Sequence, residues 1–124
     1  MNFRMLHHNH NVTDLDASLA FYEKAFGLHE VRRKTAPDGA FVIAFLQGQD
    51  DNFELELTWL RDHPKKYDLG ECEFHVAFGC EPGEFEEMHR LHAEMGCICF
   101  ENPAMGIYFV EDPDGLWLEV LPHK

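Results

Sequence analysis

The sequence predicts an α+β protein made of two tandem βαβββ modules that curl into a cupped mixed sheet. Three observations predict it. The chain has 124 residues, enough for one compact domain and too few for separate cofactor and substrate domains. Its hydrophobic and charged fractions, 45% and 27%, are those of an ordinary globular protein and exclude a disordered or fibrous chain. Most informative, one order of periodicities occurs twice: a strand, an amphipathic stretch closed by glycine, then three short strands.

Arg4 to Val12 reads as the first strand, with its alternation blurred by His7, His8 and His10. Thr13 is the predicted helix N-cap, with Asp16 three residues on in a near capping box. Leu15, Leu19, Tyr22 and Phe26 follow at helical spacing, and Gly27 supplies the stop. Strands are predicted at Glu30–Thr35, Phe41–Gln47 and Phe53–Trp59, divided by the turn Pro37-Asp38-Gly39 and the polar segment Gly48–Asn52. A charged connector, Leu60–Glu71, joins two modules at about 1–59 and 72–124 within a single domain spanning residues 1–124. The order then returns. Glu73–Phe78 is a strand, and Pro82 suits the first position of a helix that carries Phe85, Met88, His92 and Met95 on one stripe and ends at Gly96. Strands at Cys97–Glu101, Ile107–Glu111 and Leu116–Leu121 complete the module, with Asp112-Pro113-Asp114-Gly115 as a strong turn.

Charge and cysteine usage narrow the partners. Acidic residues outnumber basic ones 23 to 10, and a net charge of −13 repels a polyphosphate backbone, so no nucleic-acid partner is expected. No apolar stretch approaches the ~20 residues of a membrane span, and Asn2, Arg4 and three early histidines interrupt any signal-like segment. A soluble, cytoplasmic protein without a membrane partner is the expectation. Cys72, Cys80, Cys97 and Cys99 lack C-x-x-C spacing and lie in apolar stretches, which favours reduced packing residues over a disulfide framework or a thiolate zinc site.

The repeat pairs chemistry as well as structure. His7 and His75 occupy the first strand of their halves, and Glu56 (in Leu55-Glu56-Leu57) and Glu119 (in Leu118-Glu119-Val120) occupy the last. The separations are 49 residues (56 − 7) and 44 (119 − 75), similar enough for one geometry with different loops. Side chains alternate along a strand, so each glutamate faces either water or something that needs it. A single such glutamate is more often solvated. Four residues at equivalent places of a repeat favour a metal, because two halves packed together would gather two imidazoles and two carboxylates, and buried carboxylates need a counter-charge.

Several stretches resemble the vicinal oxygen chelate superfamily, a glyoxalase/bleomycin-resistance-like fold, and within it the short bacterial lactoylglutathione lyases. They are Leu6-His7 with Asn11-Val12-Thr13-Asp14-Leu15, Ser18-Leu19-Ala20-Phe21-Tyr22, Leu55-Glu56-Leu57-Thr58, Lys66-Tyr67-Asp68-Leu69-Gly70, His75-Val76-Ala77 and Phe109-Val110-Glu111-Asp112-Pro113-Asp114-Gly115. The resemblance implies four metal ligands at His7, Glu56, His75 and Glu119. It also implies a divalent ion, nickel or cobalt in many members and zinc in others. The substrate it implies is a small molecule, the hemithioacetal of methylglyoxal with a thiol such as glutathione, isomerised through an enediolate to a 2-hydroxyacyl thioester. Glu119 would be the principal base, and Glu56 a ligand and second candidate base. His8 and His10 fall on the other strand face and are assigned to packing, the surface or a subunit contact. A homodimer is expected because cupped sheets of this kind leave edges to bury.

The departures concern the thiol. Where glutathione-using members commonly carry an arginine, this chain has Asn11; where they carry an asparagine, it has Leu60; and Asn102-Pro103-Ala104-Met105-Gly106 holds no cation. Two other readings stand beside the lyase. One is a sister metalloenzyme (an acyl-thioester epimerase, a thiol transferase on an epoxide antibiotic, or a dioxygenase). The other is a metal-free antibiotic-binding module. Glu56 disfavours the first and the complete ligand set the second.

Overall fold

In a computed structural model describing residues 1–123, the chain divides into two compact units, Met1–Tyr67 and the part from Asp68 onward. The first contains β1 (His7–Val12), α1 (Leu15–Phe26), β2 (His29–Thr35), β3 (Phe41–Gln47) and β4 (Glu54–Leu60). The second contains β5 (His75–Cys80), a 3₁₀ turn (Pro82–Glu84), α2 (Phe85–Met95), β6 (Ile98–Asn102), β7 (Ile107–Glu111) and β8 (Trp117–Pro122). Both sheets have four strands and the same mixed topology, β1-β4-β3-β2 and β5-β8-β7-β6. In each, the first and last strands pair in parallel and the other neighbours antiparallel. The tandem βαβββ order is therefore present.

Local boundaries moved for identifiable reasons. The first strand begins at His7 and not Arg4, because its parallel partner begins only at Glu54. The α1 cap is Asp14 and not Thr13: Asp14 has extended backbone, and its Oδ1 accepts the Ala17 N–H at 3.0 Å. Gly27 (φ 67°) closes the helix as expected. The buried stripe of α1 is Leu15, Ser18, Tyr22 and Ala25, turned slightly from the predicted Leu15, Leu19, Tyr22, Phe26. Pro82 opens a 3₁₀ turn that leads into α2, and His92 is the fully buried member of the predicted α2 stripe.

Each sheet packs one face on its helix. In the first unit Val12, Tyr22, Ala44, Leu46 and Leu57 are buried; in the second Tyr108, Val110, Leu116, Leu118 and Val120 are. His92 Nδ1 and the Tyr108 hydroxyl lie 2.7 Å apart in that second core, and burial pushes the Tyr108 phenol well above the usual tyrosine range. The edge strands β2 and β6 carry a bulge at the same place, between Glu30 and Arg32 and between Ile98 and Phe100. Bulges twist an edge and spoil it as a template for pairing.

All four cysteines are free and partly buried, and burial, with the nearby Glu111 carboxylate, pushes the Cys99 thiol up to about 11. Among the described residues no helix is long and apolar enough to cross a membrane.

Candidate metal centre

Strand alternation places each predicted ligand on the sheet face opposite its helix. Because Asn9 pairs with Glu56 and Ala77 with Glu119, the two His–Glu pairs occupy matching positions of the two registers. His7 Nε2 lies 3.4 Å from Glu56 Oε2, and His75 Nε2 lies 3.6 Å from Glu119 Oε1. The carboxylates are mostly covered, with side-chain exposures of 15% and 19%, whereas both imidazoles are 43% exposed. Both separations exceed the usual hydrogen-bond length. The structure thus forms one His–Glu pair in each unit; among the described residues no group of three or more His, Cys, Asp or Glu gathers at metal-binding spacing.

The surroundings of the two glutamates differ. On the first unit's open face, Arg32 Nη2 donates to Glu54 Oε1 at 2.7 Å while its guanidinium carbon stands 3.5 Å above the Phe45 ring. Asn9 lies over Thr58 Oγ1 at 2.6 Å and Glu56 Oε1 at 3.0 Å. A carboxylate only accepts, so the amide nitrogen is assigned to face it, and the amide oxygen accepts the His10 N–H at 3.3 Å. Asn11 stands 3.3 Å from Asn9 and 3.4 Å from the hydroxyl of Tyr67, whose ring stacks on His63 at 3.9 Å. Around Glu119 the face is aromatic instead. His75 sits edge-on to Phe109 at 5.1 Å, Phe109 meets Trp117 at 5.4 Å, and Phe100 stacks on Trp117 at 6.2 Å.

His8 and His10 lie on the helix side of β1, half-buried, with the His10 ring 6.1 Å from Tyr22. Packing is therefore the role the structure gives them. Desolvation, then the neighbouring His10 and His7, lowers the His8 pKa. Sequence reasoning missed Asn9 and the Phe100–Phe109–Trp117 cluster. The signal for Asn9 was available: it stands two residues after His7, hence on the same strand face.

Comparison with known proteins defines the class. The family model of the glyoxalase/bleomycin resistance protein/dioxygenase superfamily matches residues 4–120, and the chain belongs to that superfamily. Within it, the chain is 36% identical to the lactoylglutathione lyase of Neisseria meningitidis serogroup A over 128 residues, covering 98% of this chain and 91% of the relative. Among solved structures, the trypanothione-dependent glyoxalase I of Leishmania major superposes with a TM-score of 0.84 at 30% identity, over 98% of this chain and 87% of that one. Glyoxalase I from Zea mays superposes with a TM-score of 0.80 at 31% identity, over 97% of this chain and 44% of that one.

Proposed function

We propose that the protein is a metal-dependent lyase of the lactoylglutathione type, working as one domain of two modules, and that His7, Glu56, His75 and Glu119 hold its divalent ion. The observation that carries the reading is the duplicated His–Glu pair at matching registers. The near-full-length likeness to lactoylglutathione lyases supports it. The donor set fits an ion. Two imidazoles and two carboxylates suit a borderline divalent cation, nickel or cobalt by preference and zinc as a substitute. The spacings of 3.4 and 3.6 Å approach those of adjacent donors on one ion, roughly 3 Å when each bond is about 2.1 Å. When bound, such an ion supplies Lewis-acid stabilisation of the negative charge that develops on the vicinal oxygens of the substrate.

The chain's own residues do the rest. Glu119 takes the proton from the hemithioacetal carbon and returns it to the neighbouring carbonyl carbon. With the hydroxyl proton passing from the first carbon's oxygen to the second's, the first carbon becomes the thioester carbonyl and the second a secondary alcohol, so no external oxidant is needed. Phe109 and Trp117, partly buried and flanked by Phe100, give the Glu119 side of the site an apolar wall. The thiol is glutathione or a relative of it. The Leishmania glyoxalase I is trypanothione-dependent, and here Asn11 stands in place of an arginine, Leu60 in place of an asparagine, and the Asn102–Gly106 loop carries no cation. Each module brings half of the ligand set, which is completed within one chain or between two copies of a cytoplasmic homodimer.

The test strips the protein with chelator and restores nickel, cobalt, zinc or manganese separately. Thioester formation from methylglyoxal and glutathione is then followed. Activity returning with nickel or cobalt is expected. Silence with every ion, in protein that demonstrably binds it, overturns the substrate.

A further inference from the structure

From these contacts we infer that Asn9 is a positioning residue that fixes which oxygen of Glu56 is offered to the metal. The inference rests on the reading of Glu56 as a ligand. Glu56 has its two oxygens divided between two neighbours: Oε1 faces the Asn9 amide at 3.0 Å, and Oε2 faces His7 Nε2 at 3.4 Å. A carboxylate whose Oε1 is held in a hydrogen bond presents one oxygen to an ion, on the side where its partner imidazole stands. Left untethered, the same carboxylate can rotate and chelate through both oxygens, taking a position the substrate needs.

Asn9 is well held for this task. Its two amide hydrogens are used by Thr58 Oγ1 at 2.6 Å and Glu56 Oε1, and its oxygen accepts the His10 backbone N–H at 3.3 Å. Every polar atom of the side chain thus has a partner that fixes its orientation. Two residues on along β1, the Asn11 amide nitrogen donates to the Tyr67 hydroxyl at 3.4 Å, so the same strand also carries a side-chain contact to Tyr67.

The second module provides the internal control. Ala77 occupies the register position of Asn9, directly opposite Glu119, and offers no side-chain donor. Leu121 stands where Thr58 would be, and Gly79 where Asn11 would be. One carboxylate is tethered and its counterpart is not. That asymmetry suits the division of labour in which Glu56 stays a fixed ligand while Glu119 moves a proton.

The experiment uses four full-length proteins: wild type, Asn9→Ala, Glu56→Ala and the double variant. Cobalt(II) affinity is measured by competition with a chromophoric chelator, alongside the visible spectrum of the bound cobalt and thioester formation. Asn9→Ala recreates the environment of Ala77 on an exposed strand position and is expected to fold. It should weaken cobalt binding about 10–100-fold and alter the spectrum. In the Glu56→Ala background, which has no acceptor for the Asn9 amide, the same substitution should change affinity by no more than about twofold, because the interaction it removes is already gone. Wild-type affinity and spectrum in Asn9→Ala overturns the inference, as does an equal loss in both backgrounds. Wild-type protein that binds cobalt but makes no thioester defeats the lyase reading alone and leaves the cobalt comparison to decide on Asn9. Wild-type protein that binds no cobalt overturns both.

Discussion

In the first module the residue opposite the site glutamate is Asn9; in the second it is Ala77. The same contrast runs across both open faces. Arg32, paired with Glu54 and laid over Phe45, corresponds in register to Phe100, which pairs with Phe109. Glu54 corresponds to Trp117, and Thr58 to Leu121. Duplication preserved the backbone, the bulged edge and the His–Glu pair. The surrounding shells diverged, one polar and hydrogen-bonded, the other aromatic. Equivalent backbone positions therefore do not impose equivalent surroundings: under the proposed function, the tethered carboxylate in a polar setting is the fixed ligand and the untethered one beside aromatic rings the mobile base.

The largest expected effect separates the two glutamates. Glu119→Gln should lower the turnover of metal-loaded enzyme about 10²–10⁴-fold while retaining the ion. Glu56→Gln should lose metal affinity first. Equal effects of both substitutions on turnover, at saturating metal, would dissolve the distinction between the shells. The shared part of the comparison is tested next. Leu55 and Leu118 hold matching positions of β4 and β8, each one residue before its glutamate, and both are buried; truncating either to alanine should cost about 2–5 kcal/mol in denaturant unfolding. A loss confined to one module would show that the cores are not equivalent. The smallest effect belongs to the polar face. Arg32→Ala removes an ion pair whose arginine is exposed and a cation–π contact, and should change stability by about 1 kcal/mol, shrinking at high salt.

Much of this was legible in the sequence, because periodicity and repetition are properties of residue order. The matched spacing of His7 to Glu56 and His75 to Glu119 selected the pairs that the two registers then placed side by side. Alternation alone put His8 and His10 on the face opposite His7; that this face meets the helix, with His10 beside Tyr22, comes from the structure. What the sequence did not reveal depends on contacts between distant segments. The choice of Asp14 over Thr13 as the cap turns on which backbone becomes extended and which side chain reaches Ala17. The start of β1 depends on where its partner begins, 47 residues later (54 − 7). The Asn9 tether needs Thr58 and Glu56 on a neighbouring strand, and the stack of Phe100 on Trp117 needs the bulge that sets β6 in register.

The central claim is that one ion is held by a His–Glu pair from each module. Its most direct test is a cobalt(II) titration of the chelator-stripped protein beside His7→Ala and His75→Ala, reading stoichiometry and affinity together. The account predicts one tightly bound ion per chain in the wild type and a comparable collapse of affinity in both variants. If either variant still binds one ion per chain with wild-type affinity, the pairs do not serve a common metal and the account is wrong.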